Sequence, residues 1–550
     1  MNITGAGELT LRTNNFQVNN NRYLLPLGFA AVLAVGILIG VKISPFAGAA
    51  RGYGNSGATT NDRMHEILNF ISQRYVDSIN VDSIVDGFVA DYLNQPETIE
   101  ELFKKLDPHS SYIPKEDLVG FNEDLEGNFD GIGIEFNIVD DTIMVVAALS
   151  GGPSASLGIQ AGDKIIGIDD STVAGIGITS DRVIKKLRGK KGTTVRVKIK
   201  RHGEKNLLPF SITRDIIPVT SIDASFMFDK TTGYIRVNKF SEQTPIEFKE
   251  ALAMLVTDGM KDLIIDLRFN PGGYLSGAVA LADELLPGQP LIVYTEGRAV
   301  GRNDYYAGKP GLFEKGKVIV LINEYSASAS EILAGALQDN KRATIIGRKS
   351  FGKGLVQQVY ELPDSSAIRL TIARYYTPNG KCIQRPYDHG VDAYYEEYMS
   401  IIMNGGELPD SLKSTSNADW GIHPDILVPI DTTPQNKTLN YLLNRSFVQQ
   451  YCYTVFASNP KSYTGFKDVQ TFDQTVVISD DQFAKFIQYV AKHDTEKGVS
   501  AEEMMAAQGK IKIALKAFLA RQALGDNGYY YTITGIDDTM QKALQQMKGK

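Results

Sequence analysis

The sequence predicts a multidomain α/β protein, and three observations lead there. Buried-looking runs such as Leu263-Ile264-Ile265-Asp266-Leu267 and Val318-Ile319-Val320-Leu321-Ile322 each end in a turn that opens into an Ala- and Leu-rich helix. Between residues 129 and 214 the texture changes to short strands, glycine turns and one helix. Helical periodicity marks the flanks on both sides. At 550 residues the chain exceeds a single core, and about two to four domains are expected. With 43% hydrophobic and 22% charged residues it is globular. A net charge of −7 argues against nucleic acid as a partner. Cys382 and Cys452 supply no disulfide framework, and the six histidines show no H-E-x-x-H spacing, so neither metal nor cofactor is expected.

In chain order, residues 1–22 form a polar tail. Residues 23–41 are uncharged and largely apolar, about the length that crosses a bilayer, and predict a transmembrane anchor. Ala47-Gly48-Ala49 offers a cleavage site for a signal peptide, but the run is longer than a usual signal core, which favours an uncleaved anchor. The flanking charges, Arg12 and Arg22 against Lys42 and Arg51, barely choose a side. Residues 48–61 read as a flexible linker. Residues 62–126 read as a helical region, with Met64, Ile67, Leu68 and Ile71 on one face. Leu106-Asp107-Pro108-His109-Ser110-Ser111-Tyr112 punctuates it, and His109 behind Pro108 reads as structural.

Residues 127–214 form the next unit. Gly131-Ile132-Gly133-Ile134 leads into a strand, and its glycines let backbone N–H groups turn inward as a nest for a carboxylate. Ile134 and Phe136 alternate on a strand that a peptide could extend. Val195, Val197 and Ile199 alternate with Arg196, Lys198 and Lys200 as a half-exposed strand.

Residues 217–429 form the α/β core. Asn270-Pro271-Gly272-Gly273 follows one buried strand, and Tyr325-Ser326-Ala327-Ser328-Ala329-Ser330-Glu331 follows another. Serines between a buried strand and a helix N-terminus lie where N–H groups are unpaired and can face an oxyanion. Lys353, in Phe351-Gly352-Lys353-Gly354, can act as a base if a dry site lowers its pKa. Residue types alone also fit a small-residue helix start with Ser328 or Ser330 as N-cap and Lys353 as a solvated charge. Gln357, four residues after Lys353, would share its face on a strand.

Taken together, Ser-Ala-Ser-Ala-Ser-Glu-Ile, Gln338-Asp339 and Phe-Gly-Lys-Gly-x-Val-Gln resemble the carboxy-terminal processing (tail-specific) proteases, a Ser–Lys peptidase family. Leu106–Tyr112 and Gly421-Ile422-His423-Pro424-Asp425 resemble stretches of the same family. Residues 153–165 look like the A-x-x-G-I/L-x-x-G-D-x-I signature of PDZ domains, as does the helix near Val183–Leu187. The resemblance implies a crotonase-like ββα-superhelix core and Ser328 as nucleophile. It further implies Lys353 as general base, Gln357 as the lysine-orienting residue, and oxyanion N–H groups on Ala329 and on Gly272 or Gly273. It also implies that the Gly131–Ile134 turn captures the C-terminal tails of protein substrates. Export of the bulk follows from it: membrane-anchored, on the periplasmic side of the inner membrane in a bacterium. A non-catalytic PDZ adaptor and an esterase or amidase of small substrates are the competing readings. The complete motif set argues against the first, and the tail-binding module against the second. Residues 430–550 lie beyond the family motifs and predict helices around Phe483, Phe486, Ile487 and Val490 and around Ile511, Leu515, Phe518 and Leu519. Gly525 would be a C-cap. This region would buttress the core or mediate contact with another copy or a regulatory adaptor.

Overall fold

The computed structural model describes residues 60–81, 84, 96–149, 151–404 and 419–549. The expected tail at 1–22, the anchor at 23–41 and most of the linker at 48–61 lie outside them. Among the described residues no helix is long and apolar enough to cross a membrane.

A six-stranded sheet carries the core, in the order Ile222–Met227, Thr232–Val237, Asp262–Asp266, Val318–Ile322, Ala343–Gly347, Ile426–Leu427. The first pair is antiparallel and the others are parallel. Parallel strands covered on both faces need apolar side chains at every position, which is why these strands read as unbroken apolar runs. On one face Ile265, Val320 and Ile345 pack against Leu252, Leu281 and Leu333 of the helices Thr244–Thr257, Leu275–Asp283 and Ala329–Asp339. On the other, Ile264, Ile319 and Ile346 meet Met540, Ala543 and Leu544 of the helix Asp538–Met547.

A second, antiparallel sheet is centred on Ala367–Tyr376, which pairs with Leu355–Glu361 in a hairpin and with Leu291–Gly297. Ser111–Ile113 also pairs with it, so residues 62–126 are not purely helical as expected. The helices Thr60–Arg74, Pro96–Lys104 and Lys115–Glu126 are present. The intervening strand exists because it completes a free sheet edge far away in sequence, which local periodicity cannot reveal.

The module between the helix Lys115–Glu126 and the core is an antiparallel sheet in the order Ile134–Val139, Thr142–Ala148, Lys164–Ile168, Thr194–Lys200, Leu208–Thr213. Val183 and Leu187 of the helix Ser180–Leu187 are buried against it. Along Thr194–Lys200 the burial alternates as expected. A ribbon of Asn128–Gly131 with Asp215–Pro218 closes the module and carries it past residue 214.

The C-terminal helices gather around Phe472, Phe483, Phe486, Ile511 and Leu515. Gly525, expected as a C-cap, adopts φ 67 and ψ −160 inside Gln508–Ile533, so the helix breaks there and resumes. This region touches both other parts. Tyr453 packs on Val139, Met144 and Val146, and Arg521 pairs with Glu135 at 3.0 Å. On the core side, Asp537 pairs with Arg268 at 2.7 Å and Asn527 Oδ1 accepts the Ser225 N–H at 2.8 Å. It is an internal brace.

Candidate active site

Two loops leave the C-terminal ends of neighbouring parallel strands, where α/β sheets place their sites. The loop at 267–273 and the loop at 323–328 are laced together. Asn323 Oδ1 accepts the N–H of Phe269 (3.0 Å) and of Tyr325 (3.2 Å). The Asn270 carbonyl accepts Ala327 N–H and Ser330 Oγ, each at 3.0 Å, and Ser326 Oγ donates to the Leu267 carbonyl at 2.8 Å. This lacing holds Ser328 at φ 56 and ψ −116, a conformation that costs a non-glycine residue about 1–3 kcal/mol. The result is a strand, a strained turn and a helix with a serine at the apex, an arrangement that exposes a nucleophile. Gly272 lies against it: a Cβ there would come 2.7 Å from Ser328 Cβ and 2.9 Å from Ala329 N. The Gly272 N–H donates to Asn270 Oδ1 at 2.8 Å. Phe240 N–H donates to the Gly272 carbonyl and Tyr274 N–H to the Phe240 carbonyl, so Gly273 N–H takes no part in that bridge.

Glu331 ties the serine to the lysine. Its buried carboxylate accepts Ser328 N–H (2.8 Å), Lys353 N–H (2.8 Å), Gly352 N–H (2.7 Å) and Ser350 Oγ–H (2.5 Å). Burial pushes its pKa up to about 7, against the pull of these hydrogen bonds. Tyr375 Oη donates to the carbonyls of both Ser328 and Lys353. Sequence reasoning passed over Glu331, although Ser-x-x-Glu at a helix start is a recognisable signal.

Burial pushes the Lys353 amine down to about 8, helped by Arg369 and opposed by the carboxylates of Asp107 and Glu331. Asp107 was also missed. It is buried, accepts Ser110 Oγ–H (2.6 Å) and Thr371 Oγ1–H (3.1 Å), and brings the 106–112 stretch into the site. His109 is buried beside Tyr394 and Phe351, and burial holds it neutral, down to about 2. Gln357 differs from expectation. Its amide donates to the Leu355 carbonyl (3.3 Å) and to Thr371 Oγ1 (3.5 Å), not to Lys353. Lys353 precedes the strand, which begins at Leu355, and a bulge between Val356 and Gln357 breaks the alternation that would have aligned them.

Ser328, Lys353, Gln357 and Gly273 line one cavity of about 680 Å³, with Ile332, Leu355 and Val356 among its apolar walls. A serine on a strained apex, a desolvated amine and N–H groups at a helix start can together support acyl transfer. A helix that the sequence reading did not foresee, Val391–Met403, is tied to two of the segments that build this assembly. Tyr395 Oη donates to the Pro108 carbonyl at 3.1 Å and Tyr398 Oη to the Glu324 carbonyl at 3.2 Å.

In the smaller module, Gly131 pairs with Asp215, and the carbonyls of Ile132 and Gly133 accept Ser154 and Leu149 N–H groups. Gly133 has φ 71, and Ile134 opens the edge strand of the sheet.

The family model for peptidase family S41 matches residues 231–395, and that for the PDZ domain matches residues 131–212. A carboxy-terminal-processing protease of Bartonella bacilliformis is 36% identical over 345 residues, 60% of this chain and 78% of that protein. This chain belongs to the carboxy-terminal processing proteases. Carboxy-terminal processing protease CtpB of Bacillus subtilis is 34% identical over 59% of this chain and 65% of its own. Among solved structures, the photosystem II D1 C-terminal processing protease aligns with 68% of this chain and 94% of its own, at 24% identity and a TM-score of 0.39. As a processing protease of family S41 with a PDZ domain, the chain is a serine-type peptidase. Residues 438–525 match a family of unknown function, DUF8443.

Proposed function

We propose that this processing protease cleaves polypeptides with Ser328 as nucleophile and the neutral amine of Lys353 as general base. Ser328 Oγ attacks the scissile carbonyl while Lys353 takes its proton and then returns it to the leaving amine. Water, activated by the same amine, releases the acyl group. The oxyanion is met by the N–H of Ala329 and that of Gly273, because Gly272 already spends its N–H on Asn270. Gln357 is a positioning residue in the wall of the cavity, held by Thr371, whose hydroxyl in turn donates to Asp107. The PDZ domain supplies the substrate by adding a C-terminal tail to the edge strand Ile134–Val139, its carboxylate held at 131–134. The apolar run at 23–41 tethers the enzyme to a membrane with the remainder exported. One observation carries the reading. The strained Ser328 and Lys353, whose amine is depressed, are locked through their backbone N–H groups to one carboxylate, Glu331, and line one cavity. Digestion of an unfolded protein by wild type and by Ser328→Ala tests it. The variant is expected to lose cleavage, and equal turnover by both would remove the mechanism.

A further inference from the structure

Phe269 and Tyr325 sit on the two loops that carry the site and are not explained by the chemistry above. Phe269 has φ 62, a conformation that favours Gly, Asn or Asp and is rare for a bulky side chain. The residue is 59% exposed, so core packing does not compensate the strain. It stacks on Tyr325, itself 37% exposed, with ring centroids 5.2 Å apart and planes at 23°. The pair is rigid from behind. Both backbone N–H groups end on Asn323 Oδ1. The Tyr398 ring meets Tyr325 edge-on at 6.3 Å while its hydroxyl is anchored on Glu324. Strain kept in a residue that buries little points to a use for the side chain.

Position indicates the use. Phe269 directly precedes the Asn270–Gly273 turn, and Tyr325 precedes Ser328 by three residues. Three residues of chain reach at most about 11 Å, the span of about three residues of extended substrate. Neither ring belongs to the walls of the cavity that holds Ser328 and Lys353. We propose that the Phe269–Tyr325 pair is a specificity subsite that takes a large apolar or aromatic side chain of the polypeptide, a few residues from the scissile bond. The inference rests on Ser328 being the nucleophile. An aromatic step fixed on these loops favours a flat or bulky apolar side chain through stacking and area burial, and offers nothing to a small or acidic one.

The test uses the full chain and peptides in which each position flanking the cleaved bond is set in turn to Phe, Leu, Ala or Asp. At one position wild type is expected to prefer Phe over Ala by about three- to tenfold in kcat/KM. Phe269→Asn is expected to bring that ratio near one while cleaving the Ala peptide as wild type does. Because Asn accepts the left-handed backbone, it should also melt no lower. Phe269→Tyr should keep the preference. An unchanged ratio in Phe269→Asn, with cleavage still lost in Ser328→Ala, would overturn the subsite alone. A uniform loss for all peptides together with a lower Tm would overturn it in favour of a structural role. Equal cleavage by wild type and Ser328→Ala would remove the nucleophile and the subsite with it.

Discussion

Glu331 shows how much of the site rests on one side chain outside the reacting pair. Four donors converge on its carboxylate, two of them the backbone N–H groups of Ser328 and Lys353. A glutamine would keep one acceptor oxygen and turn an NH₂ toward donors. Glu331→Gln should therefore lose about 1–3 kcal/mol of stability, seen as a lower Tm, and should lower kcat more than it raises KM. Unchanged kcat would show that the carboxylate does not position the pair. Ser328 and Lys353 could be singled out from the ordered motifs around them, Ser-Ala-Ser-Ala-Ser-Glu-Ile and Phe-Gly-Lys-Gly, whereas residue types alone fit a capped helix start and a solvated lysine as well. Glu331 and Asp107 could not, since a carboxylate reads as solvated until its burial is seen. Gln357 was placed on the lysine's face by counting, and one bulged residue defeats counting.

At the scale of elements, the alternation of Thr194–Lys200 and the buried parallel strands could be read directly. Those patterns are local. The strand Ser111–Ile113 and the tyrosine-bearing helix Val391–Met403 gain their meaning from partners far along the chain, and were not legible. The edge strand Ile134–Val139 carries its own prediction. Its outward Glu135 is engaged by Arg521, while Ile134, Phe136 and Ile138 face the PDZ core and the helix Ser180–Leu187. In the proposed mode, a tail added there would have its last side chain near Ile134 and its carboxylate at the Gly133 turn. Amidating a substrate's C-terminus should weaken capture by about 1–3 kcal/mol, read as a higher KM. A short peptide that does not reach the PDZ domain should be unaffected. Identical rates for free and amidated tails below saturation would mean the turn is only structural.

At the scale of the molecule, the C-terminal helices belong to the protease rather than being appended to it. Met540, Ala543 and Leu544 cover the second face of the six-stranded sheet, and Asp537 joins Arg268 and the buried Asp266. Burial alone would raise the Asp266 carboxyl, but Arg268 and Arg236 hold it well below the usual carboxylate range. Ending the chain at residue 430 would uncover Ile264, Ile319 and Ile346, each worth about 1.5–3 kcal/mol when buried. Such a truncation should be insoluble or unfolded by circular dichroism, and a soluble active product would contradict the brace. The central claim, that a neutral lysine is the base, is tested most directly by the pH dependence of kcat/KM on a short peptide. The neutral amine accumulates as pH rises, so activity should climb through an ionisation centred near 8, with a further fall below about 7 where the Glu331 carboxylate takes up a proton. Lys353→Arg, which stays protonated, should be inactive throughout. A profile centred near 6.5, the ordinary imidazole value, or activity retained in Lys353→Arg would contradict the account.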